Sequence, residues 1–147
     1  MPVADGGGVI VLPDGSYAQQ VVIAPPLDVI LLPSAARTAQ ASTADFINPG
    51  SRGIYVWLNV TVASGTGGLQ VKVQAKDPAS GAYSSLHASP TAIIATGQNI
   101  YVLYPSGTVI TGTSTSYNAV LPRTWRVTVL VGDASSYTYS VGASLLP

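Results

Sequence analysis

From residue 54 onward, apolar and polar residues alternate with a period of two over most of the chain. Successive strand side chains point to opposite faces, so each alternating run offers one dry face and one wet or partnered face. In residues 54–62, Ile54, Val56, Leu58, Val60 and Val62 share a side. In residues 69–76, Leu69, Val71, Val73 and Ala75 share one side, with Gln70, Lys72, Gln74 and Lys76 opposite. A Ser-Gly-Thr-Gly-Gly connection, residues 64–68, joins the two runs, and this predicts a β-hairpin at the centre of the fold.

The same grammar continues. Residues 37–46 predict an outer strand closed by Asn48-Pro49-Gly50. Residues 76–83 predict strand, turn and strand, with Pro78 presetting the backbone and Gly81 permitting the reversal. A short strand over 83–88 and another within 92–104 follow, the latter with Ile100, Val102 and Tyr104 on one face and Tyr101 and Leu103 on the other. Pro105-Ser106-Gly107 turns the chain into Thr108-Val109-Ile110, and residues 111–118 predict an exposed loop. Trp125, Val127, Val129 and Val131 share a face of the next strand. After a turn at 132–136, Tyr137, Tyr139, Val141, Ala143 and Leu145 share a face of the last. About seven or eight strands at roughly ten-residue spacing, with Gly/Pro turns and no helical period, predict an all-β antiparallel β-sandwich or jelly roll over residues 35–147.

Residues 1–34 break the pattern. Gly6-Gly7-Gly8 and the turn signal Pro13-Asp14-Gly15 surround Val9, Ile10, Val11 and Leu12. Val21, Val22 and Ile23 run into Pro25-Pro26, and Val29, Ile30, Leu31 and Leu32 run into Pro33. Prolines exclude a helix and confine strands to edges. Two readings stay open: a first strand pair of the same domain, or an extended N-terminal arm whose apolar residues lie on a neighbouring subunit. The second is the working expectation, and it makes these apolar residues, with Tyr55 and Trp57, candidates for subunit or shell contact.

Composition sharpens the picture. Of the 147 residues, 47% are hydrophobic and only 8% charged, against roughly 25% charged in an ordinary soluble domain. Disorder wants the opposite balance. The surface is therefore built from small polar residues, or is covered by other subunits. Two lysines and four arginines, scattered in sequence and balanced by six aspartates, offer no electrostatic grip on nucleic acid. There is no cysteine, hence no disulfide and no thiolate chemistry. The start lacks the basic head and apolar core of a signal peptide. Residues 21–33, the most apolar stretch, are too short and too interrupted to span a bilayer. A protein made in the cytoplasm, with no membrane partner, is expected.

Candidate chemistry is sparse. His87 is the single histidine, so a His/Cys metal site is not expected, and no Gly-x-Ser-x-Gly elbow accompanies it. It reads as a surface or edge residue. The aspartates fall mostly beside Gly or Pro, where Asp supports turns, and no pair of them predicts glycoside hydrolysis. No catalytic residue, metal or cofactor is expected. Tyr55 and Trp57 point away from the apolar face of their strand, as a sugar platform, a second buried face or a subunit interface would require. Asn59-Val60-Thr61 matches a glycosylation acceptor by chance, mid-strand and without a secretory signal.

Several stretches together carry a resemblance: residues 52–61 (RGIYVWLNVT), 71–83 (VKVQAKDPASGAY), 101–107 (YVLYPSG) and 121–127 (LPRTWRV) through 139–144 (YSVGAS). In order and spacing, residues 36–146 resemble small β-sandwich virion proteins of tailed bacteriophages, of the kind encoded among head genes. The resemblance implies a non-enzymatic structural protein on the capsid surface. It implies a decoration or cement protein that partners the major capsid protein and copies of itself, often as a homotrimer. A tail, neck or fibre protein is the alternative in that class, and a carbohydrate-binding module the alternative outside it.

Overall fold

An amphipathic strand buries its dry face only against another layer, and this chain supplies both layers itself. The computed structural model describes residues 9–11, 17–19, 27–89, 92–105 and 115–147. The described residues contain no helix and twelve strands. In chain order these are β1 (Val9–Val11), β2 (Tyr17–Gln19), β3 (Leu27–Arg37), β4 (Ala41–Ser42), β5 (Phe46–Ile47) and β6 (Gly53–Ala63). β7 (Leu69–Lys76), β8 (Tyr83–Ala88), β9 (Gly97–Leu103), β10 (Thr115–Tyr117), β11 (Thr124–Val131) and β12 (Tyr137–Leu146) follow. One sheet runs β10-β9-β6-β12-β3, and the other runs β4-β11-β7-β8 with β5 also on β11. All pairings are antiparallel except β9 with β10. The chain is an all-β sandwich. β1 and β2 pair only with each other, as a small separate hairpin.

The inward positions are those the alternation marks, except Val62, which a register shift at Thr61 turns outward to 50% exposure. Ile54, Val56, Leu58 and Val60 of β6 join Tyr137, Tyr139, Val141 and Ala143 of β12 in one buried cluster. Leu69, Val71 and Val73 of β7 and Trp125, Val127 and Val129 of β11 complete it from the second sheet. Each fully buried side chain of this size contributes about 1.5–3 kcal/mol.

The central hairpin is not formed. β6 pairs with β12 and β9, whereas β7 pairs with β11 and β8, so residues 64–68 cross from one sheet to the other as an arch. The chain crosses again at 132–136, between β11 and β12. The two crossings lock onto each other. The Gly132 amide donates to the Gly68 carbonyl at 2.9 Å, and the Asp133 carboxylate accepts from the amides of Thr66 (3.1 Å) and Gly67 (2.6 Å). The Tyr137 hydroxyl accepts from the Gly68 amide at 2.8 Å. Hairpin and arch bury the same residues, and the partner crossing selects the arch.

The expected boundary at residue 34 falls inside β3, which pairs along β12 from Leu27 to Arg37. Leu31 is only 7% exposed and belongs to this chain's own core, with Val29 and Leu32 packed against it. These three residues of the expected arm therefore serve the sandwich, and only Ile30 points outward, 78% exposed. Pro33 is tolerated because β3 is an edge strand and its ladder to β12 is irregular there. Arg37 then donates to the carbonyls of Pro33 (2.8 Å) and Ala35 (3.2 Å), blunting that edge. Of the remaining arm candidates, Val9, Ile10 and Val11 form β1. Leu12, Val21, Val22 and Ile23 lie outside the described residues, as do the turn at 13–15 and residues 108–110.

A truncation follows from this boundary. Removing residues 1–26 is expected to leave the melting temperature within a few degrees. Removing 1–34 strips most of β3 and is expected to cost roughly 3–5 kcal/mol through lost burial of Leu31, Val29 and Leu32. Thermal unfolding of the two proteins decides it, and equal melting temperatures would show β3 to be dispensable.

Two smaller differences have local causes. The strand expected over 37–46 is split into β4 and β5, because Thr43 replaces a regular rung. Its amide donates to the Val127 carbonyl at 2.9 Å, and its hydroxyl accepts from the Val127 amide at 3.1 Å. Part of the loop expected over 111–118 is β10, docked parallel on β9. The turn at 76–83 forms as expected, closed by the Asp77 amide donating to the Ala82 carbonyl at 2.8 Å.

Candidate interaction surfaces

Period two turns Tyr55 and Trp57 onto the outer face of the first sheet, half-buried and stacked with ring centroids 5.6 Å apart. The register sets their neighbours. Ile30, Gly142, Trp57 and Ile100 form one row across β3, β12, β6 and β9, and Asp28, Ser144, Tyr55 and Val102 form the next. The outward residues of β12 between these strands are Thr138, Ser140, Gly142 and Ser144, all small. The result is an open groove of about 360 Å³, floored by β12 and walled by Trp57 and Ile30, with Asp28, Ser144 and Gln98 also lining it. Ser144 Oγ and the Asp28 carboxylate are hydrogen-bonded to each other. Trp125, the other tryptophan, is buried and stacked on Phe46 at 5.0 Å, which removes it as a surface platform.

The outer face of the second sheet has the opposite character. Lys76 pairs with Asp45 at 2.6 Å, and the Tyr83 hydroxyl donates to the same carboxylate at 2.6 Å. These bonds, Lys76 first, hold Asp45 below the ordinary carboxylate range, and Asp45 in turn raises Lys76. The Arg126 guanidinium lies 3.4 Å over the Tyr83 ring and donates to Gln74, which also accepts from Thr128. Lys72, Lys76 and Arg126 share this face, so cations scattered in sequence are grouped by the fold.

Arg52 and Arg123 are grouped elsewhere, at the end of the sandwich opposite the arches. Segments 47–52 and 119–123 are laced together there. The Asn48 amide donates to the Arg123 carbonyl (2.7 Å), the Leu121 amide to the Arg52 carbonyl (2.8 Å), and the Asn48 side chain to the Leu121 carbonyl (3.0 Å). Ile47 and Val120 project from these segments, 61% and 59% exposed. Both arginines are exposed, and the one ion pair among the described residues involves neither.

His87 is not at the surface. A bulge between the Val73 and Gln74 rungs inserts Leu86, and that one-residue slip turns His87 inward opposite Val73. It is 2% exposed and packs on Tyr117 (4.1 Å) and Tyr101 (5.2 Å), and neither ring nitrogen has a hydrogen-bond partner among the described residues. Burial pushes its pKa down to about 4 and that of Tyr101 up to about 12. No carboxylate or hydroxyl is hydrogen-bonded to the imidazole, and no group of three metal-ligating side chains comes together among the described residues.

Comparison of the chain with family models, curated proteins and solved structures finds no match. Function therefore has to be argued from the surfaces. Of these, the outward placing of Tyr55 and Trp57 was legible from alternation. The groove and the arginine-framed end draw on residues far apart in sequence, and nothing local marks them.

Proposed function

We propose that this chain is a non-enzymatic virion structural protein of a tailed phage, a capsid decoration protein that binds the outer surface of the head and stabilises it. The observation that carries this reading is the sandwich end where Ile47 and Val120 stand exposed on segments that also carry Arg123 and Arg52, neither of them in an ion pair and Arg52 lying 5.8 Å over the Tyr104 ring. Exposed apolar side chains together with arginine are the composition of protein docking sites, where Arg is enriched and Lys and Glu depleted. The charge-poor composition and the resemblance of residues 36–146 support the same reading. The major capsid protein is the proposed partner, engaged by several copies, a homotrimer, about a local axis. Many modest contacts then sum through effective concentration. The paired strands β1 and β2 supply a further contact.

The test is co-sedimentation of the full chain with heads lacking it, followed by the melting temperature of the decorated heads. Ile47→Asp combined with Arg123→Ala is expected to weaken head binding at least tenfold, about 1.4 kcal/mol, while the free protein melts as before. A wild-type chain that stays in the supernatant, or a variant that pellets equally well, would overturn the proposal.

A further inference from the structure

The groove on the first sheet poses a separate question, centred on Gly142. This residue lies in the middle of β12, with an extended backbone rather than one of the positive-φ conformations found at Gly50, Gly68, Gly81 and Gly97. A Cβ added there would meet nothing nearer than the Val29 carbonyl oxygen at 3.8 Å. Neither backbone conformation nor internal packing calls for glycine, yet glycine weakens a strand relative to alanine. The adjacent register shift does not call for it either, since the extra residue there is Leu31 on β3. Glycine within a strand also marks a site where a ligand approaches the backbone closely. What a side chain at 142 would fill is the floor of the groove between Trp57 and Ile30.

The lining specifies the chemistry. One wall is an indole stacked on Tyr55. The Asp28 carboxylate, the Ser144 hydroxyl and the Gln98 amide supply acceptors and donors around it. Among the described residues no lysine or arginine lines the groove, and Asp28 is its one charged group. A pyranose matches this set, with a C–H face for the indole and a rim of hydroxyls for the carboxylate, hydroxyl and amide. A fully apolar ligand would leave the Gln98 amide and the second Asp28 oxygen unmatched, Ser144 being bonded to Asp28 already, and an anionic one would meet Asp28 with no cation to offset it. A volume of about 360 Å³ falls within the range of small-molecule sites. The groove is open at its surface, which suits a unit within a chain.

We infer that the groove over Gly142 binds an uncharged oligosaccharide, with Trp57 as the stacking wall and Asp28, Ser144 and Gln98 as the hydroxyl-binding groups. The inference does not rest on the decoration reading, and a decorated head bearing such a site would carry many copies of it.

The experiment begins with the full chain on an array of neutral and acidic glycans, then titrates the best neutral oligosaccharide in solution by tryptophan fluorescence. With Trp125 buried, a change in emission reports Trp57. Gly142→Val has room for its Cβ and suits a strand, so it should melt no lower than the parent while losing binding at least tenfold. Trp57→Ala and Asp28→Asn are each expected to weaken binding at least tenfold, with Trp57→Phe retaining part of it. The inference is overturned if no neutral glycan on the array binds, if only acidic glycans bind, or if Gly142→Val binds as the parent does. Loss of head sedimentation in Gly142→Val, with no glycan bound, would make this face a protein contact instead. Head sedimentation of the parent is read independently, so failure here leaves the decoration test standing.

Discussion

Gly132→Ala is expected to destabilise the protein by about 4 kcal/mol, lowering its melting temperature by roughly 8–16 °C, whereas Gly142→Ala stays within about 1 kcal/mol. The reason is the crossing of the two arches. A Cβ on Gly132 would come 2.3 Å from the Gly67 carbonyl oxygen, and one on Gly67 would come 2.5 Å from the Gly132 carbonyl carbon. Both obstacles are backbone, which cannot rotate away as a side-chain tip can. Relief requires the arches to separate, and separation breaks the Gly132–Gly68 bond and withdraws the Gly67 and Thr66 amides from Asp133. Thermal unfolding of the two alanine variants beside the parent is the measurement. A Gly132→Ala protein that melts within about 2 °C of the parent would show that the crossings are not packed in this way. Gly67→Ala should reproduce the Gly132→Ala loss, because the two positions report one contact.

This contact also explains where inference from sequence stopped. Alternation identified the buried faces of β7, β11 and β12 and of β6 as far as Val60, because a period of two depends only on which side of its own strand a residue occupies; in β9, Tyr101, Val102 and Leu103 are all buried and no single dry face exists. It carries no information on which strand lies alongside. A five-residue Gly-rich connection serves a hairpin or an arch equally well, and the choice rests on Asp133, 65 or more residues downstream of that connection. β3 was hidden for a different reason. In sequence, Pro25-Pro26 just before it and Pro33 within it mark breaks for a central strand, but an edge strand with an irregular ladder accommodates Pro33. His87 was misplaced by a single bulge, which reverses the face of every residue beyond it.

The candidate groove was the least legible feature. Tyr55 and Trp57 were visible as outward aromatics, but Asp28, Gln98, Gly142 and Ser144 arrive from three other strands whose order the sequence does not state. Gly142 in particular looks like any small residue on the wet face of the closing strand. Only the open space above it, with no positive φ to account for it, sets it apart.

The buried histidine leads to the second large effect, a loss of stability in mild acid. Between Tyr101 and Tyr117 the imidazole is held neutral, its pKa pushed to about 4 by burial, against about 6.5 when unfolded. Between these values the unfolded chain binds a proton that the folded chain refuses. This contribution is therefore constant above about pH 6.5, falls as the pH drops, and levels off below about pH 4. The interval carries about 3 kcal/mol, or roughly 6–12 °C of melting temperature. Asp133, Asp45 and Asp77 act in a separate window. Hydrogen bonds hold their pKa values below the ordinary carboxylate value, so their contribution is lost only at still lower pH. His87→Leu, close in volume and unable to take a proton, should remove the slope between pH 6.5 and 4 and melt above the parent at pH 4.5. It should leave the steeper loss near pH 3 in place. Melting temperatures of parent and variant from pH 7.5 to 3 make the comparison, and parallel curves would mean that His87 is protonated in the folded protein. Where it sits makes the consequence specific. β8 and β10 are edge strands of opposite sheets, bridged by His87 against Tyr117 and by the Tyr117 hydroxyl donating to the Ala88 carbonyl at 3.1 Å. A charge forced onto that ring is relieved by opening this edge, so amide exchange in β8 and β10 should accelerate first as the pH falls, ahead of β6 and β12.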